Sequence, residues 1–324
     1  MVKSSRDSIV FLDAGTVHYG DVSFGELKRL GRFKAYSKTD PDEIKRRVSR
    51  ATVVITNKCR FDAGLLPRLK TVKLIAIAAT GTNNVDLEAA RREGIAVTNV
   101  SGYSTETVVQ FTFAFLLALA GNLVKFNEAS HDGRWSRSPF FTLPDFPIQE
   151  IAGKVLGIVG YGKIGKRVAQ AARAFGMKIL VARIPGKDYS SGGNPKRVSV
   201  DFFLRHSDFV TLHAPLSSLT KSLIDAKALR KMKRGAFLIN MARGGLVDEK
   251  TLCGALKSRR LGGAAADVLN QEPPPKGHPL LKAPNFLLTP HIAWASREAR
   301  SRLLHEIALN IKAFQRGVKR NRVV

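Results

Sequence analysis

The chain reads as two doubly wound α/β domains, each a parallel sheet flanked by helices, with one domain inserted into the other. Three observations predict this. Short runs of branched apolar residues alternate with polar, helix-periodic segments over the first hundred residues, and the alternation restarts at Lys154. A glycine-rich turn, GYGKIG at 160–165, sits between a strand-like and a helix-like segment. A final helical segment, 297–314, follows the last strand of the second set and is expected to cross back to the first. The first domain then comprises residues 1–101 and 296–324, and the inserted domain 102–295.

In the first domain, residues 9–12, 53–56, 74–78 and 96–98 are short apolar runs, as strands buried on both faces should be. Between them, 42–50 and 86–93 are polar and periodic, with Gly94 placed to end the second helix. A long helix over 105–120 follows, apolar on nearly all sides. A helix with no polar face must be buried, between domains or against another subunit, so a two-fold homodimer is expected. Its apolar stretch at 108–120 is interrupted by Gln110 and Thr112 and is too short for a bilayer, which takes about 20 apolar residues. No membrane association is expected. Residues 127–149 hold Trp135, a Pro-Phe-Phe segment and three prolines, and read as an irregular loop or arm.

The second set opens with a strand at 155–159, then the glycine turn, a helix at 166–175 stopped by Gly176, and a strand at 178–183. Residues 185–195 contain Ser-Ser-Gly-Gly-Asn-Pro and are expected to form an exposed, mobile loop. Strands recur at 209–213, 236–241, 264–268 and 286–289. The terminal helix places Leu303, Leu304, Ile307, Ala308, Ile311 and Phe314 at helical spacing, and Gly317 closes it.

Composition narrows the function classes. A chain of 324 residues with 44% hydrophobic and 24% charged residues has the make-up of a globular protein with a sizeable core. The N-terminal apolar run is too short for a secretory signal and soon meets Asp13. Cys59 and Cys253 stand alone without metal-ligand spacing, so no metal and a reducing, cytoplasmic compartment are expected. The 53 Lys and Arg against 26 Asp and Glu leave a net charge of +27. Those charges are spread through the chain, with no basic arm and no aromatic-interleaved RNA motif. The expectation is a solvated basic surface that steers anionic substrates and phosphorylated cofactors, with nucleic acid attracted only nonspecifically.

The turn GYGKIG fits the pattern for a dinucleotide. Gly160 permits the tight turn, Gly162 lets a pyrophosphate approach the backbone beside Lys163 and Ile164, and Gly165 allows helix and strand to pack closely. At the end of the second strand a cofactor lacking the 2′-phosphate is usually held by Asp or Glu. Here that place, eighteen residues after Gly165, is Arg183, and 178–187 contains no carboxylate. A guanidinium suits a phosphate monoester, with Lys187 to assist, so NADP(H) is expected in preference to NAD(H). The alternative is that Arg183 points into solvent and Asp188 or backbone groups bind the ribose.

Downstream come ARGGLVDE (242–249), QEPPP (271–275) and TPHIAWAS (289–296) in fixed order. They supply Arg243, Glu272 and His291. An arginine can hold a substrate carboxylate, a histidine can protonate a carbonyl oxygen, and a glutamate can keep that histidine protonated and oriented. This is equipment for hydride transfer to a 2-oxo acid. Taken singly, Arg243 also suits a strand-end ion pair, Glu272 a loop carboxylate and His291 a core histidine.

With ATGTNNVD (79–86), NVSGYSTETVVQ (99–110), HAPLSSLT (213–220), INMARGGLVDE (239–249), ADVLNQEPPP (266–275) and TPHIAWASREAR (289–300), the chain resembles the D-isomer-specific 2-hydroxyacid dehydrogenases, most of all the glycerate dehydrogenase/hydroxypyruvate reductase branch. The likeness runs from about 74 to 302; the first seventy residues match in architecture only. It implies a Rossmann cofactor domain inserted in a flavodoxin-like substrate domain, with the active site in the cleft at the strand carboxyl ends. It further implies that Arg243 binds the substrate, that His291 is the acid and base, and that Glu272 bonds the other imidazole nitrogen. Backbone N–H groups at Thr80 and Gly81 would hold the substrate carboxylate. Asp267 would orient the nicotinamide carboxamide with Thr107 beside the ring, and His213 and Pro215 would line the adenosine-to-ribose side. Phe111, where many relatives carry His, and Met241, where they carry Thr or Val, depart from the pattern without removing a catalytic group. The expected reaction is reduction of hydroxypyruvate and glyoxylate to D-glycerate and glycolate with NADPH. The alternatives are a bulkier 2-oxo acid, or a dinucleotide-sensing corepressor-like protein, which the short tail ending at Val324 disfavours.

Overall fold

The computed structural model describes residues 7–187, 189 and 195–324. The chain forms two compact units, Met1–Ser104 with Trp294–Val324, and Thr105–Ala293. The breaks expected from the sequence, 101/102 and 295/296, fall within three residues of these.

In the discontinuous unit, β1 (Ser8–Phe11), β2 (Arg32–Ala35), β3 (Val53–Thr56), β4 (Leu74–Ile77) and β5 (Ala96–Thr98) make one parallel sheet in the order β2-β1-β3-β4-β5. Every residue of β3 and β4 is buried, because helices cover both faces. Ile9, Phe11, Val53, Ile55, Leu74 and Ala76 point to one face, where Leu303, Leu304, Ile307 and Ile311 of the terminal helix Arg297–Gln315 meet them. Val10, Val54, Ile75 and Ile77 point to the other, against Ile44, Val48, Ala89 and Ala90. The period of two along each strand therefore separates two cores. Strand β2 and the helix Gly25–Leu30 before it went unseen in the sequence. As an edge strand β2 exposes Arg32, Lys34 and Ala35, so no apolar run marks it.

The continuous unit holds β6 (Val155–Val159), β7 (Lys178–Ala182), β8 (Arg197–Val198), β9 (Phe209–Leu212), β10 (Phe237–Asn240), β11 (Gly263–Ala266) and β12 (Phe286–Leu288). All are parallel, in the order β12-β11-β10-β9-β6-β7-β8. The chain winds outward from β6 in one direction, then returns beside β6 and winds outward in the other. The crevice between the ends of β6 and β9 is the topological switch point, where such sheets bind ligands. Several predicted apolar runs overshoot the strand ends, and Arg183, His213 and Asp267 stand just past β7, β9 and β11 at the carboxyl edge.

Helix Thr105–Ala120 has the expected bounds and packs on the helix Lys163–Ala174 and on β10 and β11. The stretch expected to be irregular from 127 onward is partly helical. Leu123–His131 is a helix, set off from its predecessor by Asn122 in the left-handed region, and Trp135–Arg137 is a 3-10 turn. Only Ala129 of Leu123–His131 is buried, so no apolar periodicity announced it. The helix after the glycine turn starts at Lys163 rather than 166, which brings its first N–H groups to the turn itself. Of the loop 185–195, residues 188 and 190–194 lie outside the described residues. No single helix among the described residues is long and apolar enough to cross a membrane.

Candidate active site

The glycine turn leaves β6 at Gly160, whose φ of 92° strains any residue with a side chain. A Cβ there would also lie 2.6 Å from the Ala214 nitrogen and the His213 carbonyl carbon. At Gly165 a Cβ would strike the Gly160 carbonyl, so helix and strand touch backbone to backbone. Gly162 differs: a Cβ there would meet nothing within 4 Å. Its glycine leaves open space in front of the helix Lys163–Ala174, which has no side-chain cap and no acid in its first turn. Those uncapped N–H groups and the helix dipole present a ready anion site.

Across the switch point, His213 offers Nε2 to Thr211 Oγ1 at 2.9 Å, while its buried Nδ1 has no partner among the described residues. Burial pushes this imidazole down to about 3, so it is neutral and has hydrogen-bonding capacity left over. An open cradle of glycines beside an orphaned ring nitrogen fits a bound dinucleotide. Pro215 is exposed, and its carbonyl accepts from Thr220 Oγ1 at 2.8 Å. Thr107 is buried on its helix. Ile164 is half-buried and Lys163 exposed. Arg183 is exposed; its backbone N–H bonds Val198 O at 2.8 Å, and its guanidinium makes no ion pair among the described residues. Lys187 is exposed nearby in sequence, and Asp188, the alternative ribose ligand, lies outside the described residues.

Arg243 follows β10 in extended conformation, ahead of the 3-10 turn Gly244–Leu246. The buried Asn240 shapes that exit. Its Oδ1 accepts from Ala242 N at 3.1 Å and its Nδ2 donates to Arg243 O at 2.8 Å. The Arg243 side chain is exposed, donates to Ala242 O at 2.7 Å and has no ion-pair partner among the described residues. The strand-end ion pair weighed from the sequence is thus absent there, and an unneutralised guanidinium stands at the carboxyl edge of the sheet.

His291 lies three residues beyond β12, with a φ of 55° that is rare outside glycine. Asp267 holds it there. Its carbonyl accepts from His291 N at 2.9 Å, Oδ1 accepts from Ile292 N at 2.8 Å and Thr289 Oγ1 at 2.7 Å, and Oδ2 accepts from Ala293 N at 2.9 Å. Burial pushes the Asp267 carboxyl above its usual range, against the pull of those bonds and of His291. The His291 ring is thereby aimed at Glu272, whose Oε2 lies 2.5 Å from Nδ1; Oε1 accepts from Leu269 N at 3.0 Å. Both side chains are about a third exposed, at 28% and 34%.

Arg243, Glu272, His291 and Asp267 thus belong to one unit, together with the glycine turn. Thr80 and Gly81 belong to the other, just past β4, where Thr80 Oγ1 donates to Val100 O at 2.8 Å and Asn99 Nδ2 donates to Thr80 O at 2.7 Å. Sequence reasoning missed Asn240 and the loop-holding part of Asp267. A polar residue ending an apolar strand, as in FLIN, was the available signal for the first. Among the described residues no cluster of His, Cys, Asp and Glu is placed to hold a metal ion.

A family model, "D-isomer specific 2-hydroxyacid dehydrogenase, NAD binding domain", matches residues 113–293. The chain is similar to the glycerate dehydrogenase of Methylorubrum extorquens, 42% identical over 97% of this chain and 98% of that one. It is also similar to the hydroxypyruvate reductase of Blautia hydrogenotrophica, 35% identical over 95% and 97%. Among solved structures, the TT0316 protein of Thermus thermophilus superposes with a TM-score of 0.86 at 35% identity, over 98% of this chain and 100% of that one. Likeness at this level extends over nearly the full length of both partners, not the cofactor motif alone, and the chain therefore belongs to the D-isomer-specific 2-hydroxyacid dehydrogenases, a family of NAD(P)-dependent oxidoreductases.

Proposed function

We propose that this chain reduces small 2-oxo acids, hydroxypyruvate to D-glycerate and glyoxylate to glycolate, and prefers NADPH to NADH. The observation that carries the reading is the 2.5 Å contact between His291 Nδ1 and Glu272 Oε2, in the same unit as an Arg243 guanidinium that has no ion pair among the described residues. With Nδ1 turned to Glu272, Nε2 is the nitrogen that serves the substrate. His291 gives its proton to the carbonyl oxygen during reduction and takes it back from the hydroxyl during oxidation. Glu272 stabilises the imidazolium and fixes the ring plane. Arg243 holds the substrate carboxylate through paired N–H bonds and polarises the carbonyl.

When bound, the dihydronicotinamide supplies the hydride. Gly160, Gly162, Lys163, Ile164 and Gly165 hold the pyrophosphate, Thr107 and Asp267 border the nicotinamide, and His213 and Pro215 border the adenosine side. Arg183, with Lys187, receives the 2′-phosphate; the absence of a carboxylate from 178–187 supports this. The names of the relatives above support hydroxypyruvate and glycerate as the substrate pair. A second copy of the chain is the expected partner. Leu117, Leu123, Val124, Phe140, Phe141 and Ile148 are all exposed in the helix pair and the arm that follows it, a concentration of large apolar side chains that favours a covered surface.

Initial rates of hydroxypyruvate reduction with NADPH and with NADH, on wild type and Arg183→Asp, test the reading. Preference for NADPH that collapses in the variant is expected. Turnover with NADH alone would remove the phosphate clamp while keeping the reductase, and no turnover with either would remove the substrate assignment.

A further inference from the structure

Glu272 hangs from a segment with little of its own to hold it. Residues 273–275 are all proline and carry no N–H, and of 271–277 only Pro274 is even half-buried. Within the stretch, the backbone bond from His278 N to Pro275 O, at 3.1 Å, is local. What anchors both ends is one carboxylate from elsewhere. Glu249 Oε1 accepts from Asn270 N at 2.7 Å, and Glu249 Oε2 meets His278 Nε2 at 3.2 Å. The two side chains are 15% and 11% exposed, and His278 Nδ1 is buried with no partner among the described residues.

Three further observations tie this pair to the acid–base site. Leu269 N and Asn270 N are consecutive donors of one turn, and they go to Glu272 and Glu249 respectively. Glu249 is the first residue of the helix Glu249–Lys257, yet the capping bond is made by Asp248, which accepts from Thr251 N at 3.0 Å. Its carboxylate is therefore turned to the 270–278 segment instead of its own helix end. Lastly, Gly244, next to Arg243, packs so closely on the backbone of Leu269 and Asn270 that a Cβ would collide with both. The turn that carries Glu272 is wedged between the Arg243 exit and Glu249.

We propose that Glu249 is a positioning residue, which with His278 staples the 270–278 segment closed and so holds Glu272 against His291. The proposal rests on the reading of Glu272 and His291 as the acid–base pair. Glu249 touches neither substrate nor cofactor; it acts through the turn. Glu249 meets the imidazole of His278 and stands at the start of its own helix, while His291 meets Glu272 and lies near the Asp267 carboxylate.

The test compares Glu249→Ala, Glu249→Gln and His278→Gln in wild-type and Glu272→Gln backgrounds. Glu249→Ala should lower kcat on the order of 10- to 100-fold by misplacing Glu272, with KM for the cofactor unchanged. Glu249→Gln keeps an oxygen for Asn270 N and should restore most of the rate; His278→Gln should show a smaller loss. In the Glu272→Gln background the Glu249→Ala loss should vanish, because the group it positions is gone. An equal loss in both backgrounds, or wild-type kcat in Glu249→Ala, overturns the proposal. If Glu249→Ala does not fold, Glu249→Gln and His278→Gln carry the same comparison. NMR titration of the His291 ring, assigned among the seven histidines with His291→Asn, reads the positioning without turnover. A midpoint displaced in Glu249→Ala supports the staple even if no 2-oxo acid is turned over, whereas an unmoved midpoint in an active enzyme refutes it.

Discussion

His291 adopts a left-handed backbone that a histidine takes up at a cost, and the cost is met locally by Asp267. One residue serves two ends here: its backbone carbonyl fixes His291 N, and its carboxylate collects two further N–H groups and a hydroxyl. Asp267→Asn removes the charge and turns one acceptor into a donor facing a backbone or hydroxyl donor. The expected loss is about 1.5–3 kcal/mol for each charged hydrogen bond broken, read as a lower denaturation midpoint. Because the His291 ring then loses its aim, kcat should fall along with stability. Undiminished stability in this variant would show that the loop holds its conformation without the carboxylate. The chemistry proposed for Arg243, Glu272 and His291 follows from residue types and order alone. The holding roles of Asn240, Asp267 and Glu249 were not legible, since their partners are set by which strands lie side by side.

At the level of elements, the terminal helix Arg297–Gln315 is tied to the N-terminal segment by a buried arginine. Arg300 donates to Val17 O at 3.0 Å and to Ala295 O at 2.9 Å, and its guanidinium grips both oxygens of Asp21 at 2.6 Å. Hydrogen bonding from Arg300 is the main cause that holds the Asp21 carboxyl down at about 2 instead of 3.8. A carboxyl lowered by folding stabilises the folded state above its unfolded value, and that contribution is lost as pH falls through the folded one. Asp21→Asn should therefore melt below wild type near neutral pH. The gap should close as pH drops from about 3.8 to about 2. A gap that stays constant over that window would assign the variant's effect to packing. Among the elements that escaped sequence reading, β2 and the helix Leu123–His131 share one reason: each buries almost nothing, and apolar periodicity reports burial.

For the whole molecule, the homodimer proposed above would cover the exposed apolar residues of 117–148. Phe141, at 92% exposure, is the most exposed of them and the most sensitive site to probe. Phe141→Glu together with Leu123→Glu should shift the sedimenting species from dimer to monomer without unfolding it, since neither side chain supports a core. A monomeric wild type would dismiss the interface. Of the 53 Lys and Arg behind the net charge of +27, only a minority form ion pairs among the described residues. A surface of that sign would attract anionic substrates and phosphorylated cofactors, and a fall in kcat/KM with rising ionic strength would show it.

Residue order alone was enough to identify the architecture and to nominate the reacting groups. Parallel strands covered on both faces must be short apolar runs, and a phosphate-binding turn needs glycines at set spacing, so both are written locally. The tertiary structure decided everything that depends on neighbours distant in the chain. It set where strands stop and site residues begin, placed Asp267 under His291, and closed the proline segment with Glu249. Hydrogen-bond geometry between residues some twenty or thirty positions apart follows from the order of strands in the sheet, and no local pattern encodes it.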